Sequence, residues 1–362
     1  MKATIPAAQV FNLSEGLQVP IYYPQHDKEL QELIAMAQNT GYKICPVGNV
    51  TKLPGFISPA KLKSGRYILV SMSKFNRILS YIPENLALTV EAGVTLTQIL
   101  ELTRPKRQFC PALLFQPVQA TLGGTVASNQ KHLLEQAYGS ISNYIGGVEL
   151  VSASGTLNFG GTNVKNVTGY EIGRFLAGSL GLYGIISKVT LFLKPFPDQD
   201  AYILWNVDDT KTLFNKLAEL KQKLFTLKGC WIWPEETRQK FNVLFALYGT
   251  ANQVESEHKL IKQALAPGAL SVAAAEIEEK LFHLNREKQQ ARAVIWDRQQ
   301  AVEVVNRHDF VLYDYLSGEV FTNSFPSSGI PGIELDDTVT LIRLLKARLD
   351  PAQVFIGDEF YA

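Results

Sequence analysis

The chain is 362 residues long, 46% hydrophobic and 19% charged, with a formal net charge of +1. That balance supplies no electrostatic footprint for nucleic acid or anionic lipid, and the length suits two domains that each bury a core. The three cysteines, Cys45, Cys110 and Cys230, lie far apart and form no CxxC pair, which argues against a disulfide framework or a cysteine zinc site and fits a reducing, cytoplasmic compartment.

The first six residues hold no continuous apolar stretch, so no secretory signal is read there. Residues 19–24 form a short β-like piece. Asp27 is placed to cap a helix whose Leu30, Leu33, Ile34 and Ala37 fall on one face, and Gly41 follows as its C-terminal glycine. A strand over 42–47 leads into a polar loop, 48–55, with glycine at both ends. Successive backbone N–H groups in such a loop hold an anion, with Lys52 adding charge, although the plainer reading of a Gly-Asn loop is an ordinary turn. Strands over 67–70 and 86–94 follow, separated by a short helix over 74–78 that Ser73 caps, and Thr95 opens a helix over 96–102. The one long charge-free run, 108–130, is broken by Pro111, Pro117 and a glycine pair, so no membrane span is expected.

Beyond it, 146–153 and 156–159 read as a hairpin turning on Ser154-Gly155. Residues 185–193 are a β-prone strand stopped by Pro195 and Pro197. The stretch 195–200 marks the boundary between a first domain, 1–197, and a second, 198–335, with the tail 336–362 returning to the first. The second domain runs strand 202–207, helix 210–224, strands 230–233 and 241–248, helix 253–265 and strand 272–277. That βαββαβ order is the split βαβ of a ferredoxin-like sheet. A helix over 281–294, strands over 302–305 and 310–315 and a terminal helix over 338–349 complete the chain.

The common nucleotide and hydrolase signatures are missing: there is no G-x-G-x-x-G, no G-x-x-x-x-G-K-[ST], no H-E-x-x-H and no G-x-S-x-G. The five histidines are scattered and read as solvated or singly hydrogen-bonded. What remains is glycine-rich. The stretch 117–129 carries Thr121, Gly123 and Gly124 ahead of a run of small residues, and 178–186 carries Gly178, Gly181 and Gly184. Glycine has no Cβ, so the backbone at such positions approaches a flat or charged group closely. The bland alternatives are a tight turn for Gly123-Gly124, and helix capping with close packing for Gly178 and Gly181.

Taken with Glu91-Ala92-Gly93, Tyr138-Gly139 and Gly169-Tyr170, these turns come in an order that resembles the FAD-binding domain of the vanillyl-alcohol oxidase / p-cresol methylhydroxylase (PCMH) superfamily. The stretch 159–181, with Lys165, Asn166, Gly169, Tyr170 and Arg174, is similar to the FGG…KNVxGYD…R…GSxG pattern of the E subunits of bacterial glycolate oxidases. The resemblance covers about 20–197 and, more loosely, 345–351. It implies an α+β fold in which a two-subdomain, PCMH-type domain binds FAD non-covalently and a ferredoxin-like βαββαβ cap covers the substrate side. Carried over by position, Gly48, Asn49 and Val50 match the family's loop around the FAD pyrophosphate. Pro117, Thr121, Gly123, Gly124, Ala127 and Ser128 match the segment lining pyrophosphate, ribityl chain and flavin. Gly184 and Ile185 match the step that grips the cofactor from the second subdomain. Gly123→Val is accordingly expected to expel FAD.

The chain also departs from the family. Its first loop is poorer in glycine, Ser142-Asn143 stands where an Arg-Asp is usual, and 355–358 replaces the usual Asn-Pro-Gly. The clustered histidine pair and cap arginine with which the family's hydroxy-acid dehydrogenases bind substrate have no match. No histidine in the first loop is placed for 8α-histidyl attachment, and Cys110 reads as a buried thiol. The resemblance therefore implies a subunit of a glycolate or other 2-hydroxy-acid dehydrogenase complex, partnered by a larger flavoprotein and an iron–sulfur subunit. Two alternatives stand beside it: a self-sufficient flavin dehydrogenase or oxidase for another small alcohol or acid, and a non-catalytic flavoprotein scaffold. Trp231 and Trp233 are candidates either for the cap's core or for contact with partner chains.

Overall fold

The computed structural model describes residues 8–14, 17–51, 66–161, 172–235, 240–290, 293–295, 298–307, 310–322 and 336–356. A first sheet contains β1 (Gln9–Ser14), β2 (Leu17–Tyr22), β3 (Lys43–Val47) and β4 (Tyr67–Ser71) in the order β1-β2-β4-β3, with β2 and β3 both parallel to β4. Helix α1 (Asp27–Thr40) connects β2 to β3 and buries Leu30, Leu33, Ile34 and Ala37, the face its spacing predicts. Its cap is His26, whose Nδ1 accepts from Glu29 N at 3.4 Å, and Asp27 sits in the first turn instead, where its charge meets the helix dipole.

The second sheet has β5 (Ile78–Ile82), β6 (Ala87–Glu91), β8 (Ile145–Ser152), β9 (Gly155–Gly160) and β10 (Ile185–Phe192), ordered β5-β6-β10-β8-β9 and antiparallel throughout. The ribbon β7 (Gln108–Phe109) and β11 (Lys194–Pro195) flanks it. The helix expected over 74–78 is absent: only Met72–Lys74 turns, as one 3₁₀ turn, and β5 pairs with β6 in the register Tyr81↔Leu88 and Ile82↔Ala87. A short apolar run has no decisive period of its own, and cross-strand pairing selects the extended form. Two helices join this sheet. Helix α2 (Leu96–Thr103) opens on a capping box between Thr95 and Gln98, and α3 (Leu122–Ser128) is capped by Thr121.

A third sheet forms the cap, with β12 (Gln199–Val207), β13 (Leu227–Pro234), β14 (Phe241–Gly249), β15 (Ala269–Val272), β16 (Ala293–Ile295), β17 (Leu312–Asp314) and β18 (Glu319–Thr322). Its order is β15-β12-β14-β13-β17-β18-β16. The first four are the ferredoxin-like unit, with α4 (Thr210–Lys221) and α5 (Ala251–Ala264) burying Leu213, Leu217, Leu220, Val254 and Ile261 against one face. The opposite face carries Tyr202, Trp231, Leu244 and Phe321, and packs on Ile277, Leu281 and Leu284 of α6 (Ala274–Gln290) and on Leu133 and Leu134 of the first domain. Trp231 and Trp233 are therefore core residues of the cap. The strand expected over 272–277 ends at Val272 and gives way to α6. The strand expected over 302–305 lies inside α7 (Arg298–Asn306), where Ala301 and Val305, four apart, share one buried helical face. Finally α8 (Asp336–Leu349) returns the tail to the first sheet, where Ile44 N donates to Val354 O at 2.7 Å and Ile356 N donates to Ile44 O at 3.1 Å.

Candidate cofactor site

The loop that leaves β3 meets the segment that enters α3. Asn49 Nδ2 donates to Gln119 O at 2.8 Å, and Ser71 Oγ donates to Gly48 O at 3.0 Å. Gly48 approaches Thr121 so closely that a Cβ there would stand 2.1 Å from Thr121 Oγ1. The second glycine-rich segment docks on the far end of the same helix: Gly178 N donates to Val126 O and Leu180 N to Ala127 O, each at 3.0 Å. Gly181 lies against the ring of Pro46 at the end of β3, where a Cβ would come within 2.7 Å of Pro46 Cδ. The three segments thus converge, although 48, 121 and 181 are distant in sequence.

Two hollows meet at Gly48. The wider is a cavity of about 400 Å³ lined by Asn49 and Val50 from the loop, Ser71 and Ser73 from the end of β4, and Thr95 and Thr97 from the start of α2. The second is a narrow crevice lined by Gly48, Thr121, Gly123, Gly124 and Ala127 together with Gly181, Gly184 and Ile185, and by Ala92 and Met72. Of the positions expected from sequence, Gly48, Asn49, Val50, Thr121, Gly123, Gly124, Ala127, Gly184 and Ile185 line one hollow or the other. Pro117 and Ser128 line neither: the Pro117 carbonyl closes a turn with Ala120 N, and Ser128 Oγ donates back to Thr125 O. Lys52 and the stretch 165–171 lie outside the described residues.

The two glycines of the pair have different tasks. A Cβ on Gly123 would stand 2.6 Å from Ala92 Cβ and 3.0 Å from Ala92 O, so this position is glycine because α3 packs on the turn after β6. A Cβ on Gly124 would meet only Thr121 Oγ1, at 3.1 Å, and otherwise faces the crevice. The expectation that Gly123→Val reports on FAD is thereby corrected: that side chain collides with protein before it reaches a ligand.

Hydrogen-bond accounting shows where an anion could sit. The first amides of α3 are committed, Leu122 N to Val94 O, Gly123 N to Ala92 O and Gly124 N to Thr121 Oγ1. The backbone N–H groups of Gly48, Asn49 and Val50 make no hydrogen bond among the described residues. Val50 also sits at φ +57°, a left-handed conformation unfavourable to a β-branched residue, which turns that run of amides. Further along, Thr125 Oγ1, Asn129 Oδ1 and Gln130 Oε1 are buried with no hydrogen-bond partner. Unpaired buried oxygens are rare in a finished core. The loop amides suit the charge of a diphosphate-linked group, whereas the three orphaned oxygens belong to residues that line neither hollow. Asn129 and Gln130 escaped the sequence reading; their signal was two polar amides directly after a small-residue helix.

Burial keeps the thiols out of the chemistry. Cys45 and Cys110 are each 1% exposed, and desolvation pushes both thiols up to about 12. Burial likewise pushes the Tyr183 phenol, beside Gly184, up to about 12. Among the described residues no group of three His, Cys, Asp or Glu side chains could hold a metal ion, and no helix is long and apolar enough to cross a membrane.

Comparison with known proteins agrees with this geometry. Residues 20–159 match the family described as FAD binding domain. Over 288 residues the chain is 26% identical to glycolate oxidase subunit GlcD of Bacillus subtilis, covering 75% of this chain and 60% of that protein. Over 303 residues it is 30% identical to a D-lactate dehydrogenase of Archaeoglobus fulgidus, covering 78% of this chain and 65% of the relative. The chain therefore spans just under two thirds of the length of each. Among solved structures, alkyldihydroxyacetonephosphate synthase superposes with a TM-score of 0.68 at 14% identity, over 94% of this chain and 77% of that one, a likeness of fold. Residues 20–159 are thus similar to an FAD binding domain, and the chain shares the fold of alkyldihydroxyacetonephosphate synthase.

Proposed function

We propose that this chain is an FAD-dependent oxidoreductase component acting on the CH–OH group of a small 2-hydroxy acid, and that it works as a subunit of a complex with a larger flavoprotein and an iron–sulfur protein. The observation that carries the reading is that the Gly48–Val50 loop, the Thr121–Ala127 helix and the Gly181–Ile185 turn line two hollows that share Gly48. The hydroxy-acid relatives, GlcD of Bacillus subtilis and the Archaeoglobus fulgidus D-lactate dehydrogenase, support the substrate class. When bound, FAD supplies a hydride acceptor, and the protein supplies orientation and a water-poor environment. In this reading the loop amides hold the pyrophosphate.

The cap favours a dependent role over a self-sufficient one. Its sheet face toward Leu133 and Leu134 is filled by them and by α6, a largely hydrophobic seam. The same seam supports a second reading, a flavoprotein that organises a complex without turning over itself. One experiment separates the readings. The purified chain is examined for a flavin spectrum, then mixed anaerobically with glycolate, D-lactate and D-2-hydroxyglutarate, alone and with candidate partner subunits. A colourless protein that takes up no FAD sinks the proposal. Bleaching by the chain alone marks a self-sufficient enzyme, bleaching only with partners marks the complex, and colour that never bleaches in its own site marks the scaffold.

A further inference from the structure

The tail is held by one ammonium group that also reaches the carbonyl of Leu182, next to Gly181 of the crevice. Lys346 Nζ donates to Leu182 O at 2.5 Å, to Ile356 O at 3.0 Å and to Phe355 O at 3.1 Å, and pairs with Asp350 Oδ2 at 2.6 Å. The side chain is 17% exposed and that of Asp350 is fully buried. Asp350 is itself tied to the tail, accepting from Val354 N at 2.8 Å and Phe355 N at 3.0 Å. Phe355 bridges Ile44 on β3, two residues before Pro46, and Pro46 is the residue on which Gly181 rests. Leu182 follows Gly181 directly. The contacts therefore close a ring: Lys346 to Leu182 and Gly181, across to Pro46, back along β3 to Ile44, and through Phe355 to Lys346.

The end of β3, at Pro46 and Gly48, and the turn carrying Gly181 and Gly184 both line the crevice. An ammonium has only three N–H donors, so four acceptors around one Nζ hold it at a single point. A buried ion pair contributes little net stability, because desolvation offsets the attraction; what this one supplies is position. We infer that Lys346 is a positioning residue of the cofactor site, a clamp that sets the separation of these two crevice-lining segments and so the affinity for FAD. The inference rests on the reading of the crevice as the FAD site.

The test compares Lys346→Met with Leu349→Ala in the full chain. Leu349 is partly buried against the same core from the same helix, and it is not among the ring's hydrogen-bonded residues, so its variant reports the effect of loosening α8 alone. For each protein the apo melting temperature, the FAD dissociation constant and the fluorescence of bound FAD are measured. Lys346→Met is expected to weaken FAD at least tenfold and to change the bound-flavin fluorescence, while Leu349→Ala, melting no higher, keeps wild-type affinity and fluorescence. Unchanged FAD affinity in Lys346→Met, or equal losses in both variants, overturns the clamp and leaves the cofactor site standing. A wild-type chain that takes up no FAD overturns the site itself. Should Lys346→Met fail to fold, Lys346→Arg serves: its planar fork keeps the charge and cannot converge on one point. It is expected to bind FAD three- to tenfold more weakly, and wild-type affinity in it overturns the clamp.

Discussion

Adjacent glycines separate packing from binding at the scale of single residues. Gly123 serves α3's approach to Ala92, and Gly124 looks into the crevice. Gly124→Val is expected to leave the fold within about 1 kcal/mol, since helix propensity gained offsets a small shift of Thr121, yet to weaken FAD at least a hundredfold by filling its path. Gly123→Val is expected to lose about 1–3 kcal/mol or more from overpacking, whether or not FAD is present. Thermal melts of the apo proteins beside FAD titrations check both; a Gly124→Val protein that binds FAD normally removes that glycine from the site. The thiols make a second test. Their folded pKa values lie above the ordinary thiol value, so the protonated folded form is fully favoured below about 9, and that contribution is lost as pH climbs through about 12. Stability is therefore expected to fall across that alkaline window, and Ellman's reagent at neutral pH to find none of the three buried cysteines until denaturant is added.

Among the elements, the junction between cap and cofactor segment is where one amide joins two stretches of the chain. Asn285 of α6, 1% exposed, accepts from Leu133 N at 3.0 Å and donates to Phe115 O at 2.9 Å, one partner on each side of the stretch 117–129. Lys131 adds an ion pair to Glu319 at the start of β18. Asn285→Leu leaves a buried carbonyl and a buried N–H unpaired, and is expected to cost about 2–4 kcal/mol, read as a lower urea midpoint. Asn285→Asp keeps the acceptor for Leu133 N and loses the donor to Phe115 O, so it is expected to fall lower than wild type as well; equal stability of all three proteins would show that the junction carries no strain or bond of consequence. Long periodic helices such as α1 and α5 and the β8–β9 hairpin were legible in the sequence because their burial follows one clear period. β5 and α7 were not: five and nine residues of mixed apolar type take their form from the strand or sheet they land on.

For the whole molecule, binding is linked to stability. A ligand that occupies only the folded crevice stabilises it by about 2.7 kcal/mol at a hundredfold excess over its dissociation constant. FAD is expected to raise the melting temperature of the chain in a concentration-dependent way, and ADP, which shares the diphosphate the loop amides would hold, to compete with it; riboflavin, lacking that group, is expected to shift it less. Differential scanning fluorimetry over a titration of each ligand checks the order, and a riboflavin shift equal to that of FAD would remove the Gly48–Val50 loop from cofactor binding.

The sequence alone determined the local part of this protein: helix α1 with its apolar stripe, the hairpin, the βαββαβ order of the cap, and the glycine-rich turns that resemble those of an FAD binding domain. These features are written in neighbouring residues, through period, turn chemistry and the absence of a Cβ. Only the tertiary structure decided which glycine of the pair faces the crevice, that Trp231 and Trp233 belong to the core, that one side-chain oxygen each of Asn129 and Gln130 is buried without a partner, and that Lys346 ties the Leu182 carbonyl to the tail. Those facts depend on contacts between residues as far apart as 46, 181 and 355, and no local pattern encodes a distance that the packing of three sheets creates.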